Sequence, residues 1–433
     1  MERKLIAVSL FSGCGGFDWG AQQAGVEIIW ANDNDPHAAN AYRSIFPDVE
    51  FVEDDIRNIT KIPSADILIG CYPCTGFSIA ARRKWKDREE RNLKADKNNF
   101  LYREFLRVID IVQPKYLFVE NVRGMTSAEG GWFYKQQVEG FQGKGYQVYP
   151  QWLNAMNYGV PQSRKRLFLV GIKDNVPEFE YEFPEATHGE GKLPFVSLGS
   201  AISGMPEWPE GEYCDISFHG HYLTRNRKRA WERPSYTIVA HSHHVPLHPM
   251  GDPMIFIEKD KWALQGDDNR RLSWRECAAI QELPIEIDPG GNMHNKYRVV
   301  GNAVPPQLAK TLIKPVVAYE KEHAIEIQLP FLQKSIKNFS ILPFLVGEFR
   351  SLAEVAEVAK NITSLIDDRT LLVVSSDFIH YGSSFSYTPF KEGVFNQVRY
   401  VDSLSVEAIL AQSQSLFKQV LEKTRATICG RNA

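Results

Sequence analysis

The sequence predicts an α/β fold built on a mostly parallel, doubly wound sheet, and two observations carry that expectation. Short apolar runs, "KLIAVSLF", "EIIWAND", "ADILIG", "KYLFVENV" and "RLFLVGI", have the length and composition of buried strands. Helix-like or polar stretches separate them, and alternating strands and helices favour parallel pairing with helices on both faces. From about Asp174 to Asp268 the rhythm stops, and Pro, Gly, His and Trp become frequent, as in "PEWPEGEY" and "HSHHVPLHPMGDP". This stretch reads as a small irregular domain inserted into the first.

The pattern resumes with "NRRLSWRECAAIQELP" and "GNAVPPQLAKTLIKPVVAYEKE". The second carries prolines at a helix start, where a missing N–H is tolerated. After about Lys321 a new α/β series begins with "FSILPFLVGEF", "LAEVAEVAKNITSLI" and "RTLLVVSSDF". The expected organisation is one domain from 1–173 and 269–320, an insert at 174–268, and a further partial α/β segment at 321–433.

A chain of 433 residues with 43% hydrophobic and 12% aromatic content excludes a disordered protein. The N-terminus "MERKLIAVSLFSGCGG" has only a short apolar run, and no stretch approaches the about 18 apolar residues of a membrane span. The expectation is a cytoplasmic protein with no membrane partner. Cysteines at 14, 71, 74, 214, 277 and 429 are scattered, which fits thiols in a reducing compartment better than a disulfide framework. A formal charge of -3 gives no overall nucleic-acid footprint, so charge has to be read locally.

"SLFSGCGGFDWGAQQAGVEIIWANDND" places Gly13, Gly15 and Gly16 between a strand and a helix, with Asp33 at the end of the next strand. Glycines let a backbone approach a ligand, and a carboxylate at a strand tip accepts bonds from ribose hydroxyls. "VEFVEDDI" adds Asp55 at a third tip. The loop lacks the Lys-Ser or Lys-Thr of a phosphate-binding loop, so an adenosine-containing cofactor without phosphates is favoured.

Cys71 and Cys74 invite three readings. A structural zinc site needs a second ligand pair, and the chain has no other C-x-x-C. A redox pair belongs at a helix start, whereas Pro73 and the Gly-Phe after Thr75 favour an extended loop. Nucleophilic catalysis needs one thiol above a sheet, and Cys74 has that loop position.

"GCYPCTGFS" resembles the Pro-Cys loop of DNA cytosine-5 methyltransferases. The family's other motifs follow in order: "LFSGCGGFDWG" is similar to its S-adenosylmethionine glycine loop, "ENVRG" to its Glu-Asn-Val motif, "QSRKRLFLVG" to Gln-x-Arg-x-Arg and "YRVVGNAVPPQLAK" to Gly-Asn-x-Val. Thr75 departs from the glutamine usual after the cysteine. The resemblance covers about residues 1–317. It implies a Rossmann-like methyltransferase sheet whose inserted domain recognises the target.

By this resemblance the enzyme moves a methyl group from S-adenosylmethionine to carbon 5 of a flipped-out cytosine in double-stranded DNA. Cys74 adds at carbon 6, Glu120 serves ring nitrogen 3, and Arg164 and Arg166 hold the base and Glu120. Phe11, Gly13, Gly15, Gly16, Asp33, Asp55, Asn302 and Val304 are the implied cofactor residues. The base that takes the carbon 5 proton has no sequence signature, and a bound water would serve. The resemblance further implies a prokaryotic, nucleoid-associated enzyme, monomeric on DNA and paired with a cognate restriction endonuclease. A tRNA cytosine-5 methyltransferase with the same motif set is the alternative enzyme; a DNA-binding module with an inactive site is the alternative outside enzymes.

From Arg82 to Lys97 there are eight Lys or Arg against four Asp or Glu, a local +4 directly after the nucleophile. A closing loop in which Arg82, Arg83 and Lys84 meet phosphates fits that position. In the insert, Arg225, Arg227, Lys228 and Arg229 suit a groove edge or backbone phosphates. His241, His243 and His244 sit in a loop, where histidines are more often solvated or bonded to backbone, so no metal is expected there. In the tail, "EHAIEIQLPFL", "SSDFIHYG" and "TICGRNA" resemble the Memo-like family, whose fold is related to class III extradiol dioxygenases. That resemblance places Asp377, His380 and Cys429 at a metal-type pocket. The family's histidine-bearing upstream half is not seen before it, so the expectation is a fused, poorly packed segment without a metal.

Overall fold

The five apolar runs form strands of a single seven-stranded sheet in a computed structural model of the chain. The structure describes residues 4–73, 96–122, 124–176, 179–326 and 352–363, with scattered positions between 366 and 423. The strands are β1 (Ile6–Leu10), β2 (Glu27–Asp33), β3 (Glu50–Glu53), β4 (Ile67–Gly70), β5 (Tyr116–Asn121), β6 (Tyr146–Asn154) and β7 (Lys165–Lys173). Their order is β3-β2-β1-β4-β5-β7-β6. Neighbours from β3 through β5 pair in parallel, while β7 is antiparallel to both β5 and β6.

Side chains alternate across the sheet, as a period of two dictates. Val8, Leu68, Leu117, Val119, Leu167 and Leu169 point to one face, where they pack with Phe105, Val108 and Ile109 of α3 (Tyr102–Val112) and Phe141 of α4 (Trp132–Gly143). Ala7, Ile67, Ile69, Phe118, Phe168 and Val170 point to the other. There they meet Phe17 and Ala21 of α1 (Gly16–Gln23) and Leu308, Leu312 and Val316 of the long helix α7 (Pro306–Glu326). Both faces are covered, which explains why these strands read as continuous apolar runs.

β6 was not anticipated from the sequence. It carries Pro150 opposite Leu169, and it lies at the sheet edge, where a strand tolerates a residue without an N–H.

The stretch 174–268 is largely irregular. Its regular elements are one short helix at Leu198–Ile202, two 3₁₀ turns and the hairpin of β8 (Ile255–Glu258) and β9 (Lys261–Ala263). It has a small apolar cluster of its own around Tyr222, Leu247 and Met254, and a larger core that it shares. Leu198, Ile202, Cys214, Ile238 and Val245 pack with Trp274, Cys277 and Ile280 of α5 (Trp274–Ile280) and Tyr297 and Val300 of α6 (Met293–Asn302). α5 begins at a reciprocal capping box between Ser273 and Glu276.

The chain divides into one compact unit, Lys4–Tyr319, and a second comprising Met1–Arg3 and Glu320–Ala433. In the second unit "LAEVAEVAKNIT" forms a helix, Leu352–Thr363. Asp377, His380 and Cys429 lie outside the described residues.

Candidate active site

The carboxyl ends of β1, β4 and β5 lie side by side, because Leu10 pairs with Gly70 and Gly70 with Val119. Phe11, Cys71 and Glu120 therefore follow one another along a single rim. The strand order reverses between β1 and β4, which is where doubly wound sheets hold ligands.

The turn after β1 is wound tightly. Phe11 has φ 53°, Gly13 57° and Gly15 81°. For a bulky residue such as Phe11 the left-handed region costs on the order of 1–3 kcal/mol, strain that persists only where the surroundings demand it. A Cβ on Gly13 would meet nothing within 4 Å, so that side of the turn is open. A Cβ on Gly16 would lie 2.3 Å from the carbonyl oxygen of Val304, so the motif after α6 forms the floor beneath the turn.

Asp33, at the tip of β2, accepts hydrogen bonds from the N–H of Gly13 (2.9 Å) and of Asp35 (2.9 Å). Buried Asn32 beside it donates to the carbonyls of Val52 and Asp54, both at 2.8 Å, and so braces the β2 and β3 tips. Asp55 caps the following turn and pairs with Arg57, whose hydrogen bonds hold its carboxyl below the usual range. Asn302 is exposed at the last residue of α6, and Val304 is buried in the core behind the turn.

Asp18 was not anticipated. It is fully buried under the glycine turn, accepting from Ser9 Oγ (2.7 Å) and Tyr42 OH (2.8 Å), and burial pushes its carboxyl up to about 6 from 3.8. The signal available was an acidic residue in the first turn of α1, which sequence alone cannot distinguish from a solvated one. Since the folded carboxyl holds its proton more tightly than the unfolded one, its favourable contribution is present below about pH 4 and is lost as pH rises through 6. Relative to Asp18→Asn, the wild type should lose about 1–3 kcal/mol between pH 4 and 6.5, measured by urea unfolding across that range. Parallel profiles would refute this assignment.

Glu120 is the last residue but one of β5 and is 9% exposed. Arg166 Nε lies 2.8 Å from Glu120 Oε1. The pair is an ion contact and not a directed hydrogen bond, since that oxygen accepts none. Arg164 stands apart from that pair. It is buried, and its Nη1 donates to the carbonyls of Ile238 (3.2 Å) and Gly301 (3.1 Å), not to Glu120. Burial and the neighbouring Arg166 lower its affinity for a proton.

Cys71 sits partly buried at the end of β4, where desolvation and then the Glu120 charge raise its thiol well above the ordinary range. Burial likewise raises Cys277 and pushes Cys14 up to about 12. These three thiols are held protonated and are poor nucleophiles. Cys74, Arg82, Arg83 and Lys84 lie outside the described residues.

The four cations of the insert divide. Arg225 is exposed, and Arg229 lies 4.1 Å over the Tyr236 ring. Arg227 and Lys228 are buried, contrary to the expectation that both face DNA. Arg227 donates to the carbonyls of Tyr222 (2.9 Å) and His244 (3.1 Å). Lys228 Nζ donates to the carbonyls of Met250 and Asp252 and to Asn269 Oδ1, at 2.7–2.8 Å. A segment with few regular elements has unpaired carbonyls to satisfy, and these side chains do it. The rings of His241, His243, His244 and His294 pack together, and burial lowers His244 to about 4.

Comparison with known proteins accords with this geometry. The family described as C-5 cytosine-specific DNA methylase matches residues 5–318, and the Memo-like protein family matches 307–433. The Type II methyltransferase M.BspRI of Lysinibacillus sphaericus is 37% identical over 363 residues, covering 74% of this chain and 83% of that protein. M.BsuRI of Bacillus subtilis is 35% identical over 356 residues, covering 72% and 79%. Among solved structures, a DNA modification methyltransferase encoded in an E. coli prophage superposes with a TM-score of 0.55 at 20% identity, covering 73% of this chain and 99% of that one. The Dnmt2 methyltransferase of S. pombe superposes at 0.52 and 16% identity, with 73% and 99% covered. Both share the fold. The match over residues 5–318 spans the glycine turn, the Glu120–Arg166 pair and the floor at Val304, and on that match the chain belongs to the C-5 cytosine-specific DNA methylases and is a DNA cytosine-5 methyltransferase.

Proposed function

We propose that this enzyme methylates cytosine within a specific sequence of double-stranded DNA, using S-adenosylmethionine and a covalent adduct at Cys74. The observation that carries the reading is the Glu120–Arg166 pair at the rim beside the β4 end, from which Pro73 leads into Cys74.

The glycine turn suits the cofactor. It contains no Lys or Arg, its neighbours Asp33 and Asp55 are carboxylates, and its open side is at Gly13. That set repels phosphates and fits ribose hydroxyls and a cationic sulfonium. S-adenosylmethionine, when bound there by Phe11, Gly13, Asp33 and Asp55, supplies an electrophilic methyl group. Val304 and Gly16 support the turn from beneath.

Carbon 5 of cytosine is a weak nucleophile. The Cys74 thiolate adds at carbon 6, and the displaced ring electrons enrich carbon 5 as an enamine. Negative charge then develops toward ring nitrogen 3, where Glu120 supplies a proton or hydrogen bond, and Arg166 fixes that carboxyl. Once the methyl group is on carbon 5, the proton there passes to a base or a water, and the electrons of that C–H bond expel the Cys74 sulfur as thiolate and restore the aromatic ring. A base inside a duplex is out of reach of all these groups, so the nucleotide must leave the stack.

DNA contacts are assigned to Arg82, Arg83 and Lys84 after the nucleophile and to Arg225 and Arg229 in the segment 174–268, while Arg227 and Lys228 hold that segment together. Arg225→Ala should weaken DNA binding and reduce the salt slope of log K by about 1 without changing the melting temperature. Arg227→Ala should instead destabilise the fold by about 2–4 kcal/mol, because two carbonyls lose a charged donor. Equal melting temperatures for the two variants would reverse this division.

A Type II modification role follows from the same reading, with a cognate restriction endonuclease as functional partner and a monomer acting on DNA. The test is transfer of labelled methyl groups to plasmid DNA and to tRNA by the purified chain. Transfer to DNA at one short sequence supports the reading; transfer to tRNA alone overturns it.

A further inference from the structure

Gln281 lies in "RECAAIQELP", one residue beyond α5, and none of the chemistry above uses it. It is wholly buried, as is Gln162 of the "QSRKR" stretch, and the two amides meet: Gln162 Nε2 donates to Gln281 Oε1 at 3.0 Å. Gln281 Nε2 donates in turn to the carbonyl of Val300 in α6, and Gln162 Oε1 accepts from the N–H of Ile238 at 2.9 Å. The carbonyl of that same Ile238 accepts from Arg164, whose guanidinium also reaches the carbonyl of Gly301, next to Val300. Two residues after Arg164, Arg166 holds Glu120.

Three segments distant in sequence are thereby gripped at one point. The stretch 235–238 is laid along 161–163: Ser235 N donates to the Pro161 carbonyl, Ser163 N to the Ser235 carbonyl, and Thr237 Oγ1 to the Ser163 carbonyl. The end of α6 closes the third side, where a Cβ on Gly301 would fall 2.4 Å from the backbone of Val239. Buried amides in such a chain have no water to replace a lost partner, so the arrangement admits one geometry.

We propose that Gln281 is a positioning residue for methyl transfer. It sets where the recognition segment runs relative to the strand carrying Arg164 and Arg166, and hence where Arg166 presents Glu120 to the flipped cytosine. The proposal rests on the methyltransferase reading above and adds to it a route from the recognition segment to the base pocket. Loss of Gln281 leaves the glycine turn untouched, so cofactor affinity is retained while the chemical step suffers.

The test uses the full chain, plasmid DNA and labelled S-adenosylmethionine, well below all melting temperatures. Gln281→Leu keeps the approximate volume and removes both hydrogen bonds; kcat should fall about 10²-fold, as a displacement near 1 Å produces, with cofactor Kd within about twofold. Ile172→Ala, a cavity in the sheet core, controls for lost stability alone. Gln281→Glu supplies a readout that mere packing would not move. Its neutral acid accepts from Gln162 and donates to Val300, while its carboxylate has no proton to give, so kcat relative to wild type should recover as pH is lowered. If Gln281→Leu keeps the kcat of Ile172→Ala, or the Glu variant shows no pH-dependent recovery, Gln281 is structural only and the proposal falls while the enzyme reading stands. A wild-type chain that transfers no methyl group to DNA removes the reading and the proposal together.

Discussion

Cys74→Ser is expected to reduce methyl transfer to cytosine by roughly 10⁴-fold or more, with cofactor affinity unchanged within about twofold. The size of the effect follows from the reaction. Without addition at carbon 6, carbon 5 does not become electron-rich enough to take a methyl group, and a serine hydroxyl is ionised far less than a thiol near neutral pH. Among the described residues no neighbouring sulfur is placed to substitute: Cys71 stands at the same rim, but burial and the Glu120 charge keep its thiol protonated. Cys14 and Cys277 are enclosed in the core. Single-turnover assays give the rate, and methylation-sensitive sequencing of DNA from cells expressing each form gives the product. Identical 5-methylcytosine patterns from wild type and Cys74→Ser would remove Cys74 from the chemistry.

The second large effect belongs to the ion pair. Arg166→Leu leaves a carboxylate that is 9% exposed without its cation, and Glu120→Gln leaves nitrogen 3 without an acid. Each should lower kcat by about 10²–10³-fold, the range found when one group that stabilises developing charge is removed. The two should not add. Arg166 acts by holding Glu120, so the double variant should fall little further than Glu120→Gln alone, with a coupling of about 2.5–4 kcal/mol in a double-mutant cycle, close to the loss from either change by itself. Additive losses would mean that Arg166 contacts the substrate independently.

Much of this site was legible because its chemistry is local. A glycine turn, a carboxylate at a strand tip and a cysteine after a proline each announce themselves within a few residues, and buried parallel strands read as unbroken apolar runs. What stayed hidden depends on partners far away in the chain. β6 looks like a loop until its edge position excuses Pro150. "RNRKR" offers four cations of equal appearance, and only the carbonyls of Tyr222, His244, Met250 and Asp252 decide that the middle two turn inward. Arg164 and Arg166 share one side of a strand, yet one is drawn to the segment around Ile238 and the other to Glu120. Asp18 and Gln281 are polar residues on helical segments, and nothing nearby in sequence says they are interior.

The contact between Gly16 and Val304 bears on how the chain comes to fold. α1 covers its face of the sheet jointly with α7, and the floor of the glycine turn is a carbonyl nearly 290 residues later. During synthesis the first strand and helix emerge early, but that face stays incompletely covered until α7 leaves the ribosome. At about 5–20 residues per second the delay is on the order of 15–60 s. Through that interval the apolar underside of β1 and β4 is exposed and must be shielded, and contacts this distant in sequence favour slow assembly once it begins. Methylating capacity therefore lags behind the appearance of the chain, an interval that matters wherever a nuclease of the same specificity is made in the same cell.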